Sequence, residues 1–162
     1  MLGIYEVCCI FDLFKTPTTM KALVYRALYL NEAADARLAA MGCHWSFDEC
    51  IEEVVERQML SLPEQRTGDV LILFRTSVAS DQINWGATLQ SNREHANECE
   101  CVLAFGAEIT LEYRDEQGEW VAFDTANVGD AGHAWVREAD EATEAEITAL
   151  IADLQEWATI QA

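Results

Sequence analysis

Two glutamates, Glu98 and Glu100, lie two residues apart at the start of an apolar run that ends at Gly106. If this run is a β-strand, successive side chains point to opposite faces, and the two carboxylates project from the same face. Two like charges held this close are costly unless a cation, a substrate or a shared proton separates them. The pair is therefore a candidate for chemistry, although a solvent-facing acidic strand edge would have the same sequence.

A second candidate is Arg26, which a strand over residues 21–30 would place on the same face as Val24 and Leu28. A guanidinium on an apolar face is costly without an anionic partner, and its planar fork suits bidentate binding of phosphate. The ordinary alternatives are an edge arginine that reaches water or one that pairs with a structural carboxylate. Taken alone, Arg26 does not decide between these interpretations.

Ser46 stands between Trp45 and Phe47, immediately before a predicted helix. Ser46-x-x-Glu49 has the form of a capping box, in which the serine oxygen accepts from a backbone N–H of the first turn. Taken alone, Ser46 is an ordinary N-cap with aromatic core neighbours.

The six cysteines favour reduced, buried thiols over disulfides, because the first residues lack the basic start of a signal peptide. Cys43-His44 together with Cys99-x-Cys101 could supply zinc ligands, but the spacing matches no standard pattern, so we predict no metal. No apolar run reaches the roughly 18 residues of a membrane span, so no membrane partner is expected. These features predict a soluble protein of the cytoplasm, or of a host cytoplasm if a phage encodes it.

The length of 162 residues and an apolar content of 51% predict one folded domain over residues 1–162. Patterning predicts strands at 4–14, 21–30, 69–75, 98–105, 107–114 and 119–124, with a hairpin turn at 115–118. It predicts helices at about 32–41, about 47–60 and about 141–160, and a loop or short edge strand at 83–86. Residues 21–30 could be helical instead, and so could 98–105, because Ser91-x-x-Glu94 also has the form of a capping box. Thr143-x-x-Glu146 has the same form near the start of the last predicted helix. The predicted fold class is α+β.

The charge is strongly acidic and unevenly distributed. The formal net charge is −19, and residues 94–162 contain 17 acidic residues against only two basic ones. Such a surface repels free nucleic acid and favours basic partners, although solubility or adaptation to high salt would also explain it.

The order of these motifs resembles the R-S-E arrangement of mono-ADP-ribosyltransferases over roughly residues 21–124. The most specific part is 98–111, which resembles the family pattern of Glu-x-Glu, an aliphatic strand, a glycine and a further strand. Tyr25-Arg26-Ala27-Leu28 resembles the first motif, although the family often has glycine where Ala27 stands. Ser46 lacks the fuller Ser-Thr-Ser form. Ser77 is an alternative motif serine, but it leaves too few residues before Glu98 for the intervening helix and strand.

The resemblance implies a strand-rich core of two packed sheets with flanking helices, and NAD as a substrate. Under it, Arg26 neutralises the diphosphate and the main chain of Ala27 contacts the carboxamide. Ser46 holds Glu100 or the ribose, and Glu100 stabilises the positive charge that develops on the sugar. Glu98 deprotonates the acceptor, which in this family is then an arginine side chain.

The resemblance also implies that Tyr25, Trp45 or Phe47 stacks on the nicotinamide, and the acidic surface would attract an arginine-bearing target protein. A host or defence protein attacked by a phage or toxin-type effector is one such target. The alternative is a non-enzymatic acidic mimic of nucleic acid, or an immunity-type inhibitor, that binds a basic protein. The carboxylates of the C-terminal segment favour that alternative.

Overall fold

The computed structural model describes residues 20–33, 42–61, 68–95, 99–129, 139–156 and 158–161. The strands are β1 (Lys21–Leu30), β2 (His44–Ser46), β3 (Val70–Ala79), β4 (Glu100–Val102), β5 (Glu108–Arg114), β6 (Trp120–Asn127) and β7 (Ile160–Gln161). The helices are α1 (Ile51–Ser61), α2 (Trp85–Glu94) and α3 (Glu144–Leu154), with a short 3₁₀ turn at Ser80–Gln82. The predicted strand at 4–14, and nearly all of the predicted helix at 32–41, lie outside the described residues.

The strands form one antiparallel sheet, and this part of the chain is α+β as predicted. The strand order is β4-β2-β1-β3-β5-β6, and β7 pairs with β1. The prediction of two packed sheets is wrong for the described strands. Phe74 pairs with Tyr113 and Arg75 with Glu112, so β3 and β5 join the two halves of the sheet into one.

The central strand β1 is covered on both faces. Val24 and Leu30 belong to the larger core cluster, whereas Tyr25 and Ala27 pack with Leu73 in a smaller cluster. Helix α1 covers that smaller cluster through Ile51 and Val55, and α2 and α3 supply residues to the larger one. A strand buried on both faces loses clean apolar–polar alternation, which explains why its sequence also resembles a helix.

Helix α1 begins later than predicted. Ser46 ends strand β2, and the helix starts at Ile51, five residues on. The Ser46 hydroxyl accepts from the Asp48 N–H at 3.0 Å, and the Asp48 carboxylate accepts from the Cys50 N–H at 2.8 Å. Two successive side chain–backbone turns thus occupy the place of the predicted capping box, and this part of the prediction is wrong.

Helix α2 was not predicted. The segment 83–86, expected to be a loop or edge strand, holds Asn84 as the N-cap, whose side chain accepts from the Ala87 N–H at 3.1 Å. Only Ile83 keeps strand character, through an isolated bridge to Leu103. By contrast, the capping box Thr143-x-x-Glu146 that opens α3 is confirmed. None of the described helices has the length and apolar character that a membrane crossing requires.

Candidate functional site

The sheet places the three strands that carry the sequence motifs side by side. Strand β2 lies between β1 and β4, with Tyr25 opposite Ser46 and Ser46 opposite Glu100. The motif arginine, Arg26, is one residue beyond this row, so its side chain leaves the opposite face of β1 from Tyr25. The alternative serine, Ser77, is exposed on β3, two strands further from β4 than Ser46 is.

Both carboxylate oxygens of Glu100 are held by neighbouring side chains. One carboxylate oxygen, Oε1, contacts Nδ1 of His44, and the other, Oε2, accepts from the hydroxyl of Ser91. The Asn92 side-chain amide donates to the Glu100 backbone carbonyl at 2.7 Å. Only 12% of the Glu100 side chain and 18% of the His44 side chain remain exposed. The carboxylate is therefore held from β2 on one side and from α2 on the other.

Helix α2 reaches Glu100 because it runs along the free edge of β4. The Thr88 hydroxyl accepts from the Val102 N–H at 3.0 Å and donates to the Val102 carbonyl at 3.4 Å. An unpaired strand edge must be paired or covered, and here polar side chains of the helix satisfy it. The same face of the helix carries Ser91 to the carboxylate.

Sequence reasoning missed His44 and Ser91. Ser91 was assigned to a capping box with Glu94, whereas it lies in the second half of α2 and is 2% exposed. The signal that could have located it is Asn84, whose N-cap role fixes the start of the helix. His44 lies two residues before Ser46 and carried no signal of its own beyond the rejected zinc pattern.

Ser46 is fully enclosed and serves the backbone around Glu100. Its hydroxyl donates to the Cys99 carbonyl at 3.4 Å, and the Phe47 N–H donates to the same carbonyl at 2.9 Å. Ser46 therefore fixes the residue next to Glu100, while the Glu100 carboxylate is bonded by Ser91 and His44.

The backbone changes direction at Cys99, which has a φ of 47°. Strand β4 covers only Glu100–Val102, so the strand predicted over 98–105 is shorter than expected at both ends. Glu98 lies outside the described residues, so its place on the same face as Glu100 stays a prediction.

Arg26 occupies the predicted apolar face of β1 and has an unusual environment. Its Nη1 donates to the His44 backbone carbonyl at 2.7 Å, and among the described residues no carboxylate pairs with it. Burial lowers the pKa of Arg26 from 12.5 to about 10, while charge on Cys43 acts in the opposite direction. The residue keeps some solvent-accessible surface. The guanidinium is thus a largely enclosed cation that donates to a backbone carbonyl.

The four other residues predicted to contact NAD belong to the core. Ala27, Tyr25, Trp45 and Phe47 are 4%, 3%, 3% and 1% exposed. Burial is the main reason why the pKa of Tyr25 is raised, and its ring lies 6.2 Å from that of Trp120. A nicotinamide ring could stack on these aromatic rings only if the core opened.

Burial raises the thiol pKa of two of the cysteines that were named as possible zinc ligands. Cys101 is fully buried, and burial raises the pKa of its thiol well above its usual range. Burial also raises the pKa of Cys99, with the charge of Asp48 adding to it. Within the described ranges, no group of three His, Cys, Asp or Glu side chains is arranged to hold a metal ion.

No family model, curated protein or solved structure matches this chain.

Proposed function

We propose that this protein is a mono-ADP-ribosyltransferase that transfers ADP-ribose from NAD to an arginine side chain of a basic target protein. The observation that carries the proposal is the adjacency of β1, β2 and β4, which sets the strands of Arg26, Ser46 and Glu100 next to one another, with Ser46 and Glu100 on one face of the sheet and Arg26 on the other. Residues 47–99 separate β2 from β4, and nothing in the composition requires these two strands to be neighbours. An R-S-E active site requires that adjacency.

The positive charge of Arg26 supports the binding of an anionic ligand. The Arg26 guanidinium donates to a carbonyl oxygen, and the planar fork of such a group also suits a diphosphate. The bond to the His44 carbonyl also holds β2 against β1, so Arg26 would link the ligand to the strand that anchors Glu100.

In the proposed reaction, Glu100 and Glu98 have different chemical roles. The bond between the nicotinamide nitrogen and C1′ of the ribose breaks, and nicotinamide leaves with the bonding electron pair. Positive charge then develops on the sugar, where the fixed Glu100 carboxylate stabilises it. A guanidino nitrogen of the target forms the new bond to C1′, and its proton passes to Glu98.

The test is incubation of the purified protein with labelled NAD, with and without cell lysate. Glu100→Gln keeps the shape of the side chain but removes the charge, so we expect it to abolish both nicotinamide release and labelling. Glu98→Gln should abolish labelling of protein and retain nicotinamide release, because only the acceptor needs that base. Glu108→Gln, at an exposed position on β5, is the matched control and should react as the wild type does.

The same experiment can also exclude the transferase. A wild-type protein that neither binds NAD nor releases nicotinamide would exclude the transferase. The second candidate would then be the acidic mimic, favoured by the exposed carboxylates on α3 and on either side of it. These are Asp140, Glu141, Glu144, Asp153 and Glu156. A mimic would bind a basic protein as well with Glu100→Gln as without it.

A further inference from the structure

We infer that Ser91 and His44 are positioning residues that fix the Glu100 carboxylate for reaction, a role that rests on the proposed transferase function. The motif serine Ser46 would have been expected to do this, but it bonds the Cys99 carbonyl instead. In the structure, Oε2 of Glu100 accepts from the Ser91 hydroxyl, and Oε1 contacts Nδ1 of His44.

The two contacts constrain the carboxylate more than either one alone. A glutamate side chain has three rotatable bonds, and an unrestrained one would sample several rotamers. Contacts from opposite sides, one from β2 and one from α2, hold the carboxylate plane in a single orientation. Electrostatic stabilisation of a developing charge depends on such preorganisation, because the group then needs no rearrangement during the reaction.

The helix that supplies Ser91 is itself fixed by separate bonds. Thr88 and Asn92, on either side of Ser91, bond the backbone of β4 at Val102 and Glu100. The edge of the strand is therefore satisfied without the Ser91 hydroxyl. The Ser91 hydroxyl therefore serves the carboxylate, and its removal can be tested separately from the bonds that satisfy the strand edge.

The structural link to Arg26 extends the arrangement. The carbonyl that accepts from Arg26 belongs to His44, the residue whose ring contacts Glu100. His44 is thus bonded through its backbone to the proposed diphosphate-binding cation and through its ring to the proposed catalytic carboxylate. His44 thus links the two residues across the sheet, whose side chains leave opposite faces.

The experiment measures kcat and KM for nicotinamide release by the wild type, Ser91→Ala, Ser91→Thr and Thr88→Val. Loss of a charge-assisted hydrogen bond predicts that Ser91→Ala lowers kcat by about 10- to 100-fold with KM for NAD nearly unchanged. Ser91→Thr restores the hydroxyl and should recover most of that loss. Thr88→Val removes only the bonds to Val102, so it should lower the unfolding midpoint and leave kcat within about twofold.

His44 is tested with a similar pair. The amide of Asn can place a donor near the position of the imidazole Nδ1, so His44→Asn should retain more kcat than His44→Ala. Equal loss in both variants would overturn the role of the ring.

Two further outcomes separate this inference from the function on which it rests. If the wild type turns over NAD and Ser91→Ala keeps its kcat, positioning by Ser91 is overturned and the transferase stands. If the wild type shows no NAD turnover, the transferase fails and this inference fails with it. Equal kcat losses in Ser91→Ala and Thr88→Val would show that Ser91 acts through stability alone.

Discussion

Under the proposed function, Arg26 would bind the diphosphate of NAD at a cost to stability. A buried cation without a carboxylate loses hydration, and among the described residues its recorded hydrogen-bond acceptor is the His44 carbonyl. Removing such a charge avoids the desolvation penalty, which is on the order of several kcal/mol per enclosed ion. The unusual feature is therefore better explained by a ligand than by folding.

We accordingly predict that Arg26→Met leaves the free energy of unfolding unchanged within about 1 kcal/mol, or raises it, and weakens NAD binding by at least about tenfold. Urea denaturation and calorimetric titration with NAD measure the two quantities. A loss of more than about 3 kcal/mol of stability, with NAD binding intact, would show that Arg26 acts as a structural strut for β2.

Cys99 has a backbone conformation that is costly for a residue with a side chain. Among the described residues other than glycine, Cys99 alone has a positive φ, at 47°, and it directly precedes Glu100. A side chain in the left-handed region costs about 1 kcal/mol relative to glycine. Such strain is found where a neighbouring group must be held at a set angle.

Cys99→Gly should therefore stabilise the protein, by up to about 1 kcal/mol, and Cys99→Val should destabilise it, because β-branched residues fit that region worst. Chemical denaturation of the three proteins, under reducing conditions, tests the order. A Gly variant less stable than the wild type would indicate that the thiol contributes more through packing than the backbone loses through strain.

At the scale of elements, sequence patterns located those helices and strands whose local signals, such as alternation and capping residues, favour the structure that the fold gives them. Strand β1, the hairpin of β5 and β6, and the capping box of α3 were all located within a few residues. Helix α2 was missed because its apolar face is short and its polar residues bond the edge of β4. In the sequence alone, those polar residues resemble a solvent-exposed loop, because the strand edge that they bond cannot be identified from the sequence. The described strands form one sheet because β3 pairs with β5, and the sequence pattern does not show which distant strands pair.

The same limit applies to the candidate site. Glu100 and Arg26 stood out by their chemistry, and the sheet places their strands one strand apart, with β2 between them. Ser91 and His44 did not stand out, because a serine in a helix and a histidine before an aromatic residue are common. Their position relative to Glu100 follows from the pairing of β2 with β4 and from the docking of α2 on the sheet edge. Only the tertiary structure contains that information.

Helix α3 provides a prediction about pH. Hydrogen bonding from the Thr143 backbone, and then from Arg93 and the Thr143 hydroxyl, lowers the pKa of Glu146 below its ordinary 4.5. A carboxyl with a depressed folded pKa stabilises the fold above its unfolded pKa, and this contribution is lost as pH falls through the folded value.

Glu146→Gln should thus lower the thermal midpoint at pH 6, and the difference from wild type should shrink steadily below pH 4.5. Thermal unfolding of both proteins between pH 6 and pH 3 measures the change. Glu144→Gln is the matched control in the same first turn, since the described residues show no side-chain bond from Glu144 to the cap. A Glu146→Gln effect that stayed constant with pH would show that the ionised carboxylate is not the stabilising species.

At the scale of the whole molecule, the charge of −19 acts on the two proposed substrates with opposite sign. NAD is an anion and approaches a protein that repels it, so its binding relies on a local cation such as Arg26. A basic target protein is attracted, and the attraction is long-ranged at low ionic strength. Screening should weaken both effects, because the Debye length falls from about 30 Å at 0.01 M to about 6 Å at 0.3 M.

Raising the ionic strength over that range should therefore increase KM for an arginine-rich polypeptide acceptor by about tenfold or more. Over the same range, KM for NAD should stay constant or fall. A small guanidino compound used as the acceptor is the control, since one charge is steered far less than many. Steady-state labelling with each acceptor supplies the constants. If KM for the polypeptide and for the small acceptor rise together, the acidic surface takes no part in choosing the target, and its charge serves solubility alone. If only the polypeptide is affected, the charge of the molecule and the chemistry of the site serve the same reaction.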